Sequence, residues 1–216
     1  MQLTSINLGQ VRTLQRKNRT EQTGIFKEPV TGPIAVTRLG LPGDAIVSKK
    51  HHGGPDQALY IYGGADYDWW TQELGHALAP GTFGDNLTLS HLASTAFNIG
   101  DYLQLGEVTL QVTAPRIPCG TFAARMEDPQ WVKKFRAAER PGLYCRVLQE
   151  GRIQVGDEVI WEPYQGETIS VLEMYREYYV NPKSQALIER QLRAPIAIRA
   201  RRDLEKDLRK LGESTT

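Results

Sequence analysis

Cysteine is scarce in this chain, and that scarcity excludes two classes of protein. Only two of the 216 residues are cysteine, Cys119 and Cys145. Two thiols are too few for the disulfide framework of a small secreted protein and too few for an iron–sulfur cluster. We therefore expect a protein of a reducing compartment, the cytoplasm.

Long apolar runs and an excess of either charge are also missing. No apolar stretch approaches the length of a membrane span, and the first residues show no basic segment followed by a long apolar one. Lysine and arginine total 26 against 25 acidic residues, a net charge of +1. Neither a nucleic-acid partner nor a membrane partner is therefore expected.

The first two thirds of the chain predict short strands separated by turns. The pattern predicts strands at 34–36 and 59–62, a hairpin over 102–112, and a second hairpin over 143–155. Helices are predicted at 65–74 and after Asp128, which has a proline next to it as in a helix N-terminus. Many short strands favour a closed or partly closed antiparallel barrel with a few interrupting helices.

The composition changes near residues 162–166, and the pattern after them is helical. We predict one helix around Ile169–Tyr179, a second beginning at Asn181-Pro182, and a third ending at Gly212. Charges of both signs over 199–210 indicate a solvated helix face with ion pairs. The fold class is therefore mainly β, with a β-barrel domain over 1–162 and a C-terminal three-helix appendage over 167–212.

Cys119 lies in the run 114–122 (APRIPCGTF), which is typical of a turn. Pro118 restricts the backbone, Gly120 allows a ligand to come close, and Arg116 favours the thiolate form. The functional interpretation is a reactive or metal-binding thiolate. The alternative is a small apolar side chain under a turn. Cys145 is interpreted as a buried and inert residue.

A second polar segment, 49–54 (KKHHGG), combines cations with two glycines. It indicates either an anion site built on backbone N–H groups or an ordinary polar loop. His51 and His52 point in different directions on a strand, and a zinc site joining either to Cys119 lacks a full ligand set. Asp56 is predicted to orient His52 or to pair with a lysine, with an ordinary surface ion pair as the alternative.

Four blocks of the sequence resemble the MOSC family, named after the C-terminal domain of molybdenum cofactor sulfurases. They match in order and spacing over most of 1–162, and the tail resembles the helical extension of the YiiM-type branch. The blocks are 50–58 (KHHGGPDQA), 80–88 (PGTFGDNLT), 115–119 (PRIPC) and 140–147 (RPGLYCRV). Where the family often has a lysine two residues after the cysteine, this chain has Thr121.

The resemblance implies a molybdenum-pterin cofactor and an oxidoreductase that reduces N-hydroxylated compounds, such as hydroxylaminopurine-type base analogues, to amines. It implies Cys119 as the catalytic residue and the metal ligand. The residues expected to bind the cofactor are Arg116, His52, Gly53, Gly54, Asn86 and Arg146.

Two alternatives to that enzyme stay open. Cys119 would carry a persulfide in a sulfur-transfer protein, or the chain would be a non-enzymatic carrier of the cofactor. For the enzyme, the sequence shows no flavin fingerprint and no iron–sulfur cysteine set. A separate electron-donating reductase is then the expected partner, besides the small-molecule substrate.

Overall fold

A computed structural model describes residues 1–16, 19–48 and 52–213. Strands and helices occupy similar shares of this part of the chain. The strands are β1 (Leu3–Gly9), β2 (Arg12–Arg16), β3 (Arg19–Thr23), β4 (Lys27–Pro29), β5 (Ile34–Val36), β6 (Leu59–Gly63), β7 (Leu87–Leu89), β8 (Tyr102–Leu105), β9 (Val108–Ala114), β10 (Leu143–Gln149), β11 (Gly151–Ile153) and β12 (Val159–Glu162). The helices are α1 (Gly64–Leu74), α2 (Gly120–Arg125), α3 (Trp131–Ala138), α4 (Val171–Tyr178), α5 (Gln185–Arg193) and α6 (Ile198–Glu213).

One large mixed sheet organises the strands. Its eight strands follow the order β12-β8-β9-β10-β6-β7-β1-β4, and every pair is antiparallel except β6 with β7. The sheet is not a closed barrel, but backbone hydrogen bonds connect the start of β1 to the start of the edge strand β12. Leu3 N donates to Asp157 O at 2.9 Å, and Val159 N donates to Met1 O at 2.8 Å. The predicted β-rich fold with three C-terminal helices is confirmed.

The sheet and the C-terminal helices bury their apolar side chains in one cluster. Leu3, Leu59 and Leu110 from the sheet lie there at 0% exposure, together with Val171 and Ile188 from α4 and α5. The helices therefore complete the core of the sheet, and the division at residue 162 stays a proposal about domains. None of the helices in the described ranges has the length and apolarity needed to cross a bilayer.

A second cluster of buried residues lies under α1, α2 and α3. It is almost wholly aromatic, and its fully buried members include Trp70, Phe83, Phe122 and Phe135. Phe83 stacks on Tyr62 with ring centroids 4.4 Å apart. These rings support the segment that carries Cys119, because Phe122 belongs to α2.

Three details differ from the sequence prediction. The second predicted hairpin is wrong, since β11 pairs with β5 and not with β10. Helix α5 begins at Gln185 because the hydroxyl of Ser184 accepts a hydrogen bond from Leu187 N at 3.3 Å. Helix α6 continues through Gly212 to Glu213.

Helix α3 also begins later than predicted. Asp128 does not cap it directly, because its carboxylate accepts a hydrogen bond from Gln130 N at 2.8 Å and so forms a turn before the helix. Trp131 is the first helical residue and is buried.

Candidate functional site

A cavity of about 660 Å³ lies where the segment after β9 meets several other parts of the chain. Its walls come from the β2–β3 hairpin, the segments 44–48 and 52–58, the turn before β7, and α6. Of the predicted site residues, it brings together Cys119, Arg116, His52, Gly53 and Asn86.

Cys119 is the residue immediately before α2, with extended backbone angles (φ −126°, ψ 170°). Its side chain is half-buried against the aromatic cluster and lines the cavity. Cys145 is 0% exposed in the core, and burial raises the pKa of its thiol. A buried thiol that stays protonated is neither a nucleophile nor a metal ligand. The prediction that Cys145 is buried is confirmed.

Arg116 lies in the cavity wall, 4% exposed, and does not point to bulk solvent. Its Nη1 donates a hydrogen bond to the carbonyl of Phe83. Its guanidinium carbon lies 4.9 Å from the ring centroid of Tyr60 and 5.1 Å from that of Phe122. No carboxylate in the described ranges forms an ion pair with it. A buried cation of this kind is suited to bind an anion.

A buried ion pair that the sequence did not predict forms another part of the wall. Lys27 Nζ lies 2.5 Å from both carboxylate oxygens of Asp44. Burial lowers the pKa of Lys27, and the charge of Asp44 opposes that shift. Lys27 begins β4 and Asp44 lies in an irregular segment 17 positions later, so no periodicity in the sequence could have paired them.

Asn86 holds this pair in place. Its Nδ2 donates to Asp44 at 2.9 Å, and its Oδ1 accepts from Tyr60 N at 3.1 Å. The neighbouring Asp85 is fully buried and accepts hydrogen bonds from Tyr67 and Thr88, both at 2.8 Å. Asn86 therefore positions charged groups of the wall, while Asp85 is internal.

His52 lines the cavity, and its Nδ1 lies 3.5 Å from the hydroxyl of Tyr144. Burial, together with the positive charges of Arg116, Arg199 and Lys27, lowers the pKa of His52 to about 4. The imidazole is therefore neutral at pH 7.

Gly53 and Gly54 both have positive φ, +72° and +86°, which favours glycine. Neither N–H donates a hydrogen bond to another residue in the described part of the chain. Gly53 lines the main cavity, whereas Gly54 lies outside it, on a smaller pocket.

Arg146 lies outside both pockets. It forms an ion pair with Asp56 (Nε–Oδ1 3.1 Å), and its Nη2 donates to the carbonyls of Pro195 and Ile196 at 3.2 and 3.1 Å. The other carboxylate oxygen of Asp56 accepts from Ile198 N at 2.6 Å. Asp56 therefore holds α6 against the sheet, and within the described ranges it forms no hydrogen bond with His52 and no ion pair with a lysine.

The remaining predictions concern metal ligands and Thr121. His51, Lys49 and Lys50 lie outside the described residues. Among the residues that are described, no three His, Cys, Asp or Glu side chains converge to hold a metal ion. Thr121 lines the cavity and donates a hydrogen bond to Glu21 at 2.7 Å.

The C-terminal helices supply wall residues that the sequence analysis missed. Tyr178 at the end of α4, and Arg199 and Asp203 from α6, line the cavity. The charge-rich face of α6 was interpreted as solvated. The sequence feature that could have identified these wall residues is the four-residue spacing of Arg199 and Asp203, which places both on one face of the helix.

Comparisons with known proteins identify the family of this chain. The MOSC domain model matches residues 48–160. The uncharacterized protein YflK of Bacillus subtilis is 34% identical over 188 residues, which is 87% of this chain and 85% of that protein. The protein YiiM of Escherichia coli is 40% identical over 135 residues, covering 61% of this chain and 60% of that one.

A fungal relative and a solved structure extend the comparison. A protein named reductase from Gibberella moniliformis is 32% identical over 80% of this chain, which spans 29% of that protein's length. The crystal structure of YiiM from Geobacillus stearothermophilus superposes with a TM-score of 0.78 at 28% identity, covering 96% of this chain and 98% of that one.

Proposed function

This chain belongs to the MOSC domain family, and from that premise we propose that it is an oxidoreductase that reduces N-hydroxylated compounds with a molybdenum-pterin cofactor. Hydroxylaminopurine-type base analogues are the proposed substrates. The name of the Gibberella relative, a reductase, supports the reaction class.

One observation carries the proposal. Arg116 and Cys119 line the same cavity, and Arg116 is a buried cation with no ion pair to a described carboxylate. A soft thiolate suits a high-valent molybdenum ion, and a guanidinium suits a phosphate. The donor set therefore fits the cofactor: Cys119 would hold the metal and Arg116 its phosphate. The N–H groups of Gly53 and Gly54, which have no hydrogen-bond partner among the described residues, lie on the segment that forms the next wall.

When bound, the cofactor would supply two electrons to the N–O bond of the substrate. The overall change consumes two protons and releases water: R₂N–OH + 2 e⁻ + 2 H⁺ → R₂NH + H₂O. His52 and Tyr144 both line the cavity, and His52 Nδ1 lies 3.5 Å from the Tyr144 hydroxyl. Because His52 is neutral at pH 7, its ring presents one N–H donor and one nitrogen acceptor to a ligand, whereas a pKa of about 4 makes it a poor proton carrier near neutral pH, so the two protons would come from solvent.

The proposed reaction also needs an electron source. Among the described residues the two cysteines lie apart, one in the cavity wall and one in the core, and cannot form a redox-active disulfide without rearrangement. We therefore propose a separate reductase as partner, and an artificial reductant replaces it in the assay.

The test is a matched pair of cysteine variants expressed in a host that makes the cofactor. Cys119→Ser is expected to lose bound molybdenum, pterin and turnover of 6-N-hydroxylaminopurine with an artificial reductant, while keeping its circular dichroism spectrum. Cys145→Ser is the control and should keep all three. Full molybdenum occupancy in Cys119→Ser would contradict the proposal.

Two other results would favour the alternatives. Cyanide-releasable sulfur on Cys119 without molybdenum would indicate a sulfur carrier. Bound cofactor without turnover of any N-hydroxylated compound would indicate a cofactor carrier.

A further inference from the structure

A smaller pocket adjoins the main cavity. Its volume is about 220 Å³, and it lies between the segment 53–57 and the first two turns of α6. Gly53, Gln57, Arg199 and Asp203 line both spaces. The two spaces are therefore neighbours, separated by no more than these shared residues.

The smaller pocket carries side chains that suit a phosphate and hydroxyl groups. Arg199 and Arg202 contribute guanidinium groups, and Nη1 of Arg199 donates to Oε1 of Gln57 at 3.1 Å. Asp203 contributes a carboxylate. Gly54 adds a backbone N–H that has no partner among the described residues.

Asp56 also lines the smaller pocket, but its negative charge repels a bound anion less than an unpaired carboxylate would. One carboxylate oxygen of Asp56 forms the ion pair with Arg146 at 3.1 Å, and the other accepts from Ile198 N at 2.6 Å. Its charge is therefore largely compensated, whereas Asp203 is exposed and open to a ligand.

We propose that the smaller pocket binds the sugar and phosphate of a nucleoside monophosphate whose base lies in the main cavity. Arginine binds phosphate in a two-point fashion, and an acidic side chain accepts hydrogen bonds from ribose hydroxyls. An Asp and two Arg side chains around one pocket match both parts of a ribose phosphate. The inference rests on the proposed function, since it takes a base analogue as the substrate, and it makes the substrate the N-hydroxylated nucleotide and not the free base.

The experiment compares the binding of stable ligands to the protein purified with its cofactor. Isothermal titration calorimetry measures the dissociation constants of adenosine 5′-monophosphate, adenosine and inorganic phosphate. Wild-type protein should bind the monophosphate at least about tenfold more tightly than adenosine, the effect of one or two charge-assisted hydrogen bonds. Inorganic phosphate alone should bind more weakly than the monophosphate.

Three variants locate the site. Arg199→Ala should remove most of the preference for the monophosphate, and Arg202→Ala, at an exposed position, should reduce it severalfold without a risk to folding. Arg209→Ala is the matched control, because Arg209 is exposed on the same helix and lines neither pocket.

Equal binding of adenosine and its monophosphate to the wild type would overturn the inference. So would a preference that survives both arginine variants, or phosphate alone binding as tightly as the monophosphate. The outcome is separable from that of the proposed function. A protein that reduces free N-hydroxylated bases but binds both ligands equally refutes only the nucleotide pocket. A protein that shows the predicted binding but reduces nothing refutes only the reductase.

Discussion

Arg116→Lys is the most informative single substitution in the site. It keeps the positive charge at a buried position that is 4% exposed, but it removes the planar fork. A guanidinium has five N–H donors and can hold Phe83 O while it presents others to a ligand. An ammonium group is a point charge with three donors, and it cannot lie against two rings and reach a carbonyl in the same way.

The expected effect on ligand binding follows from the lost contacts. A hydrogen bond to a charged group contributes about 1.5–3 kcal/mol, and loss of one such contact weakens binding roughly tenfold to hundredfold. We therefore expect Arg116→Lys to retain little cofactor after gel filtration and to have correspondingly low turnover.

The effect on stability should be smaller. The guanidinium lies 4.9 and 5.1 Å from two ring centroids, and a cation–π contact contributes about 0.5–2 kcal/mol. Loss of one contact, about 1 kcal/mol, lowers Tm by about 2–4 °C in a chain of this size. Differential scanning fluorimetry of cofactor-free protein measures this shift.

Arg146→Lys is the matched control for that substitution. Arg146 also donates to backbone carbonyls, but it lies outside the cavity and holds residues 195–196 against the sheet. We expect it to lower Tm and to leave the pterin content per molecule unchanged. The reasoning is refuted if Arg116→Lys keeps wild-type cofactor content and turnover, or if the two variants lose cofactor equally.

Three further predictions test the environment of the cavity and the C-terminal helices. The pKa of His52 is lowered from 6.5 to about 4 in the folded chain. Between these two pH values the unfolded chain binds a proton that the folded chain does not, so the free energy of unfolding should fall by roughly 3 kcal/mol as the pH drops from 6.5 to about 4. Urea titrations at several pH values should show a flatter profile for His52→Gln, and an unchanged profile would contradict the assignment. Asn86→Ala removes the hydrogen bonds to Asp44 and Tyr60, so we expect the free energy of unfolding, measured in urea, to fall by about 1–3 kcal/mol. An unchanged free energy of unfolding would show that the amide has no supporting role. A chain that ends after Pro163 should stay soluble and keep its strand signal in circular dichroism but melt at a lower temperature, and loss of all strand signal would place the boundary elsewhere.

The parts of the site that could be predicted from sequence are those built by local rules. The irregular segment before Cys119 was predictable because proline acts on its immediate neighbours, whereas helix α2, which begins at Gly120, was not predicted. The hairpin at Gly106 was predictable for the same reason, since alternation and a turn signal lie within a dozen residues. The orientation of Arg146 away from the core followed from strand alternation.

The parts that were not predictable depend on the path of the chain. β11 pairs with β5 across more than a hundred residues, and no short-range pattern encodes such a pairing. The partners of Arg146 are backbone carbonyls, which any sequence provides, so its structural role had no sequence signal. Arg199 belongs to a helix with charges on most of its surface, and periodicity alone does not say which charged face meets a cavity.

Arg199 lies on α6, which also packs apolar side chains into the core of the sheet. The fraction of molecules with a complete cavity wall therefore depends on the equilibrium between docked and open α6. Local opening of α6 would remove Leu204 from the core and Arg199 from the cavity together. The measured affinity of any ligand that needs Arg199 is then the intrinsic affinity multiplied by the docked fraction of molecules. A docking free energy of about 1.4 kcal/mol leaves about a tenth of the molecules open and hardly changes affinity, whereas a loss of about 3 kcal/mol from that value leaves most molecules open and lowers affinity by more than tenfold. Substitutions far from the cavity, in the apolar face of α6, would therefore change ligand affinity while leaving every contact of the docked state intact.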